Sequence, residues 1–122
     1  MYDRHQLIGA WYRSVSGENG QYYTELAKLN ADGSFEFDFL TYDSDGELSD
    51  KTAEMGLWGL VGDIHFTVTC SERVDDVDYN ADGENPDNYH VYRVITLTEQ
   101  EFSYQHIASA EVFTLTRIVS HA

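Results

Sequence analysis

The stretch Leu29-Asn30-Ala31-Asp32-Gly33-Ser34-Phe35-Glu36-Phe37-Asp38-Phe39 decides the fold. Its first half is a turn, because Asn, Asp and Gly tolerate the backbone angles that a tight hairpin requires. Its second half alternates Phe35, Phe37 and Phe39 with Ser34, Glu36 and Asp38. Such alternation marks an antiparallel strand with one face buried and the other wet.

The same period recurs on both sides. Ile64, Phe66, Val68 and Cys70 alternate with His65, Thr67 and Thr69, and Val91, Arg93, Ile95 and Leu97 with Tyr92, Val94 and Thr96. Turn chemistry separates the runs at Asp43-Ser44-Asp45-Gly46, Val61-Gly62-Asp63, Thr98-Glu99-Gln100-Glu101 and Ser109-Ala110. Eight strands are predicted, over about 9–16, 22–30, 34–42, 52–61, 64–71, 88–97, 102–108 and 111–119, with one helical turn within 3–8. Consecutive strands joined by short turns make a meander, and eight can close into a barrel that has no edges. The expected fold is all-β, an eight-stranded antiparallel up-and-down barrel, as a single domain over 1–122. Residues 72–87, with seven acids and Arg73, are expected to form a long loop.

Composition narrows the function. The chain has 122 residues, 22 acidic and seven basic, for a net charge of −15. That charge argues against nucleic-acid backbones and anionic membranes as partners. No apolar run is long enough to insert in a membrane. The opening MYDRHQLIG lacks the pattern of a secretory signal, so a cytoplasmic location is expected for the sequence as it stands, and a periplasmic or secreted one if a signal has been removed. A lone cysteine, Cys70, excludes an intramolecular disulfide, and its parity reads as that of a buried thiol.

Four motifs, in this order and spacing, resemble the lipocalin-like (calycin) barrels, especially the small bacterial ones: Leu7-Ile8-Gly9-Ala10-Trp11, Leu29–Phe35, Gly56–Ile64, and Phe113-Thr114-Leu115-Thr116-Arg117. The resemblance implies an up-and-down barrel whose interior often holds a small ligand. It also implies that Trp11 plugs one end while Arg117 stacks on its face.

Strand parity sorts interior from exterior. Anchored on the apolar residue of each run, it turns Arg13, Tyr23, Glu25, Glu54, Arg93, Tyr104 and His106 toward the lumen. Charges inside a barrel must pair, reach water or meet a ligand. The expected function is non-catalytic: binding a small polar, mildly acidic or amphipathic molecule in the lumen, with Arg93 as counter-ion and the tyrosines as walls and donors. An alternative is a filled barrel that binds a protein partner through outward aromatics such as Tyr12, Tyr22, Tyr42 and Tyr92. A third is a small acid/base enzyme using His106 with Glu25 or Tyr104. No nucleophile elbow, phosphate loop or His-Glu-x-x-His motif is present.

Metal chemistry has two weak candidates. Asp78, Asn80 and Asp82 match the first half of a calcium loop, but Tyr89 stands where a glutamate would close it. His65 and His90 fall on the outward face by parity, on neighbouring strands.

Overall fold

Tight turns join consecutive strands almost throughout, and the strands follow one another round a closed ring. The computed structural model describes residues 2–119. Its strands are β1 (Gly9–Ser16), β2 (Tyr22–Leu29), β3 (Ser34–Tyr42), β4 (Leu48–Val61), β5 (Ile64–Val74), β6 (Val77–Asn80), β7 (Tyr89–Leu97), β8 (Glu101–His106) and β9 (Val112–Arg117). Every pairing is antiparallel, and eight strands close the ring β1-β2-β3-β4-β5-β7-β8-β9, with β9 returning to β1. The all-β meander barrel read from the sequence is the fold. Short 3-10 turns at Arg4–Gln6, Glu18–Gly20 and Pro86–Asn88 are the only helical pieces among the described residues.

β6 lies outside the ring and pairs only with β5. It occupies the acidic connection where a loop was expected. Asp75 and Asp76, at φ of 52° and 63°, form the two-residue turn from Val74 to Val77. Aspartate tolerates that backbone better than most side chains, which is why the segment can turn without glycine. Arg73 and Asp78 face each other across the new hairpin, with Nε to Oδ1 at 2.7 Å.

One end of the barrel is sealed. Leu7, Trp11, Leu29, Phe35, Phe102 and Leu115 are almost wholly buried there. The Trp11 indole N–H donates to the Leu7 carbonyl at 2.9 Å, and the Arg117 guanidinium lies 4.1 Å from the Trp11 ring centre. Arg117 donates to the carbonyls of Glu99 (2.7 Å), Ile8 (2.8 Å) and Gln6. Gly9 makes room for it: its φ is +134°, and a Cβ there would fall 2.6 Å from an Arg117 nitrogen. Arg4 stacks likewise at 4.5 Å over Trp58, whose N–H donates to Asn30 O at 3.0 Å.

Two strands are inverted relative to the sequence reading. On β5, His65, Thr67 and Thr69 are buried on the inner face, while Ile64, Phe66, Val68 and Cys70 face out and Cys70 is exposed. On β7, His90, Tyr92 and Val94 point in, while Tyr89, Val91, Arg93 and Ile95 point out and are exposed. The cause lies in the β4–β5 turn. Only Gly62 and Asp63 separate the paired residues Val61 and Ile64, so Trp58 stands opposite Thr67 and both share the inner face. β7 inherits that phase, because Thr67 pairs with His90. Apolar residues therefore sit outside on both strands, and parity anchored on them runs one residue out of step.

Candidate functional site

Above the sealed floor, the inner faces of β1, β2, β4, β5, β7 and β8 bring polar groups toward the opposite end, while β3 and β9 bring Phe37, Phe39 and Phe113. A cavity of about 140 Å³ is lined there by Arg13, Glu25, Glu54, His65, Tyr92, Tyr104 and Phe113, among others. A wider opening of about 280 Å³, lined by Phe39, Thr52, Ala53, Glu54, Glu72 and Val74, shares Glu54 and Phe39 with it. Together they form the mouth.

β1 and β2 pair Arg13 directly with Glu25, whose side chains meet at 2.6 Å from Nε to Oε2. The Arg13 guanidinium also lies 4.8 Å over the Phe113 ring. Glu25 is 9% exposed, so its charge is held by Arg13 and not by water. The lumen thus contains an Arg–carboxylate pair that neutralises itself.

Glu54 is different. β4 and β5 set it opposite Glu72 on the inner face. Among the described residues it has no hydrogen-bond or ion-pair partner; burial, and then the negative charges of Glu72 and Glu25, raise its pKa above the usual carboxylate value. Glu72 was not among the residues the sequence reading placed in the lumen. A bulge between Met55 and Gly56 of β4 and their partners Ser71 and Thr69 leaves Cys70 as the extra residue and returns Glu72 to the inner face.

Aromatic rings and histidines complete the wall. His65 stacks on Tyr92 with ring centres 5.6 Å apart, and meets Phe102 and Tyr104 edge-on. Its Nδ1 lies 3.2 Å from the Gly59 carbonyl, which can only accept, so Nδ1 carries the proton. Burial lowers the His65 pKa to about 4 and keeps the ring neutral at pH 7. Tyr104 is 8% exposed, and burial, then Glu25 and Tyr92, raise its pKa well above the usual phenol value. At the rim, His106 Nδ1 accepts from Ser109 N at 3.1 Å, so its Nε2–H donates to His90 Nδ1 at 3.4 Å. Burial and the neighbouring His106 lower the His90 pKa.

The residues named from sequence separate into three groups. Arg13, Glu25, Glu54 and Tyr104 converge in the cavity. Tyr23 lies at the outer rim, 44% exposed, in a shallow recess shared with Arg13 and Glu25, and His106 is half-buried against His90 and Tyr92. Arg93 is outside the barrel, bonded to Asp63 at 2.8 Å, so the expected lumen counter-ion is not in the lumen. His65 and His90 are inside, not outside, and Tyr92 is a lumen wall, not part of an outer aromatic patch.

The calcium candidates sit apart from this site. Asp78 is engaged by Arg73, Asn80 lies on β6, and Asp82 accepts from the Glu84 backbone at 2.9 Å. Among the described residues, no three His, Cys, Asp or Glu side chains cluster in a metal-ligating arrangement. A further hollow of about 500 Å³ is on the outer face between the β5–β6 hairpin and β3. Of its charges, Arg73 pairs with Asp78 and Glu36 with Lys28 at 3.6 Å, while burial and the neighbouring Glu36 raise the Asp38 pKa.

Comparison with protein-family models and with curated proteins gives no match. The chemistry of the lumen is therefore read from its own residues.

Proposed function

We propose that the protein is a non-catalytic binder that takes a small polar ligand into the mouth of its barrel, and that the ligand presents an amine to Glu54. The resemblance to lipocalin-like barrels, whose interior often holds a small ligand, supports this reading. Glu54 carries the reading: a carboxylate facing another carboxylate, inside an aromatic-walled cavity, with a raised pKa and, among the described residues, no ion pair of its own, since the cavity's Arg13 is bonded to Glu25. An ammonium group there would relieve the repulsion and gain a charge-assisted hydrogen bond, worth about 1.5–3 kcal/mol. Phe39, Tyr92 and Phe113 would cover its apolar part and add about 0.5–2 kcal/mol if the cation lies over a ring face. A mildly acidic ligand loses its support because Arg93 faces away and Arg13 is already satisfied by Glu25.

Phenethylamine and phenylacetate form a matched probe pair, with the same ring and opposite charge. The amine should bind by calorimetry and raise the melting temperature. Glu54→Gln should weaken it by about tenfold or more while the barrel stays folded, and acidification into the carboxylate range should weaken it in the wild type. Binding of phenylacetate in preference, or of neither probe, would remove this reading.

A further inference from the structure

The inversion of β5 and β7 leaves a feature that lumen binding does not use. On the outer surface, cross-strand rows run over three strands: Leu57 beside Val68 beside Tyr89, then Phe66 beside Val91, then Val61 beside Ile64. Ile107 extends the second row, its backbone N–H bonded to the Val91 carbonyl. Leu57, Val61, Tyr89, Val91 and Ile107 each expose between 43% and 69% of their surface. With the part-exposed Ile64, Phe66 and Val68, the contiguous apolar area is roughly 600 Å², at the upper limit of what a monomer of this kind usually shows.

The rest of the outer surface is unlike this face. The outer side of β2 and β3 carries Lys28, Glu36 and Asp38, and on that of β9 a single exposed Val112 stands in line with Thr114 and Thr116. The apolar area is thus one-sided and does not form the girdle of a barrel immersed in lipid. Its own side chains carry no charge in a chain of −15 overall; the bordering Arg93 and Asp63 are bonded to each other, and the acidic 82–84 turn touches it only at its edge, where the Tyr89 hydroxyl donates to the Gly83 carbonyl at 2.6 Å.

We infer that this face is a two-fold interface between two copies of the chain. Two observations select a second copy as the occupant. The area matches the low end of the roughly 600–1,000 Å² per partner that stable interfaces bury. A basic partner would be drawn to the acidic faces, whereas a neutral apolar sheet surface complements another neutral apolar surface, and an isologous contact supplies one. The Arg93–Asp63 pair at its rim then lies close to the copy's own pair, where the two can exchange partners without adding charge.

Sedimentation equilibrium of the whole chain tests the inference. The wild type should be a dimer with a micromolar or tighter Kd, and the dimer should tighten as salt rises, because screening removes repulsion between two strongly acidic copies. Val91→Lys and Leu57→Lys alter exposed positions, so circular dichroism and the melting curve should report an intact barrel while each variant sediments as a monomer. Ser14→Lys, at an exposed position of β1 on the far side of the ring, should leave the dimer unchanged. A wild type that stays monomeric at high salt overturns the inference and leaves the face to a partner of different sequence. Folded variants that dimerise as the wild type does overturn it equally.

Discussion

His65 shows how a single residue can set the response of the whole protein to acid. Its ring is enclosed by Trp58, Tyr92, Phe102 and Tyr104, and protonating it in place would bury an uncompensated charge. The folded pKa of about 4 lies below the ordinary value of 6.5. Between those values the unfolded chain binds the proton and the native chain does not, so acidification favours unfolding. The stability held above pH 6.5 should fall by roughly 3 kcal/mol by the time the pH has passed 4. Glu54 and Asp38, with raised carboxylate pKa values, act in the opposite direction at the acid end, so the comparison with a variant is the clean one. His65→Phe should retain the packing and remove the loss. Urea titrations at pH 7 and pH 4.5 would check it, and an equal acid loss in both proteins would place the sensitivity elsewhere.

At the scale of elements, the sequence was most legible where alternation and turn chemistry agreed. β1, β2, β3 and β9 kept the phase read from Trp11, Phe37 and Leu115, so Arg13 and Glu25 were placed on the inner face. β5 misled because its apolar residues are on the outer surface. The information was nonetheless present, since counting back from the Gly62-Asp63 turn places Thr67, not Phe66, beside Trp58. The bulge that turns Glu72 inward left no such trace, because an unpaired residue alters register without requiring a distinctive residue of its own. Its partner strand does show one: Gly56 sits where a Cβ would come within 1.9 Å of the Val68 carbonyl and 2.8 Å of the Phe35 ring. Gly56→Ala should therefore cost roughly 3 kcal/mol, since backbone and core would both have to shift. Denaturant midpoints measure this, and a loss under about 1 kcal/mol would show that the bulge yields easily.

For the whole molecule, the two ends of the barrel divide the work. Arg117 and Arg4, each laid on a tryptophan, seal one end with apolar packing. The other gathers carboxylates and histidines around a cavity that opens at the mouth. Charge is divided as unevenly as polarity: acids crowd the mouth and the β5–β6 hairpin, and the outer face of β4, β5 and β7 is nearly free of them. Overall charge was plain from composition, but this partition was not, because it depends on which residue of each alternating pair faces out.

The seam between β1 and β9 also has a consequence in time. Only Trp11–Arg117 and Tyr12–Thr116 are in register there, against eight pairs between β1 and β2. Arg117 reaches the Ile8 carbonyl across 109 residues of chain. Contacts so distant in sequence are costly to close early, so the ring should assemble as an open sheet and zip shut last. Arg117→Ala should then leave the refolding rate within about twofold of the wild type while unfolding quickens about thirtyfold, for a stability loss of roughly 2 kcal/mol. Stopped-flow rates across denaturant would separate the two limbs. A slowed refolding limb would mean that the barrel closes before its transition state, and that the two ends of the chain meet first.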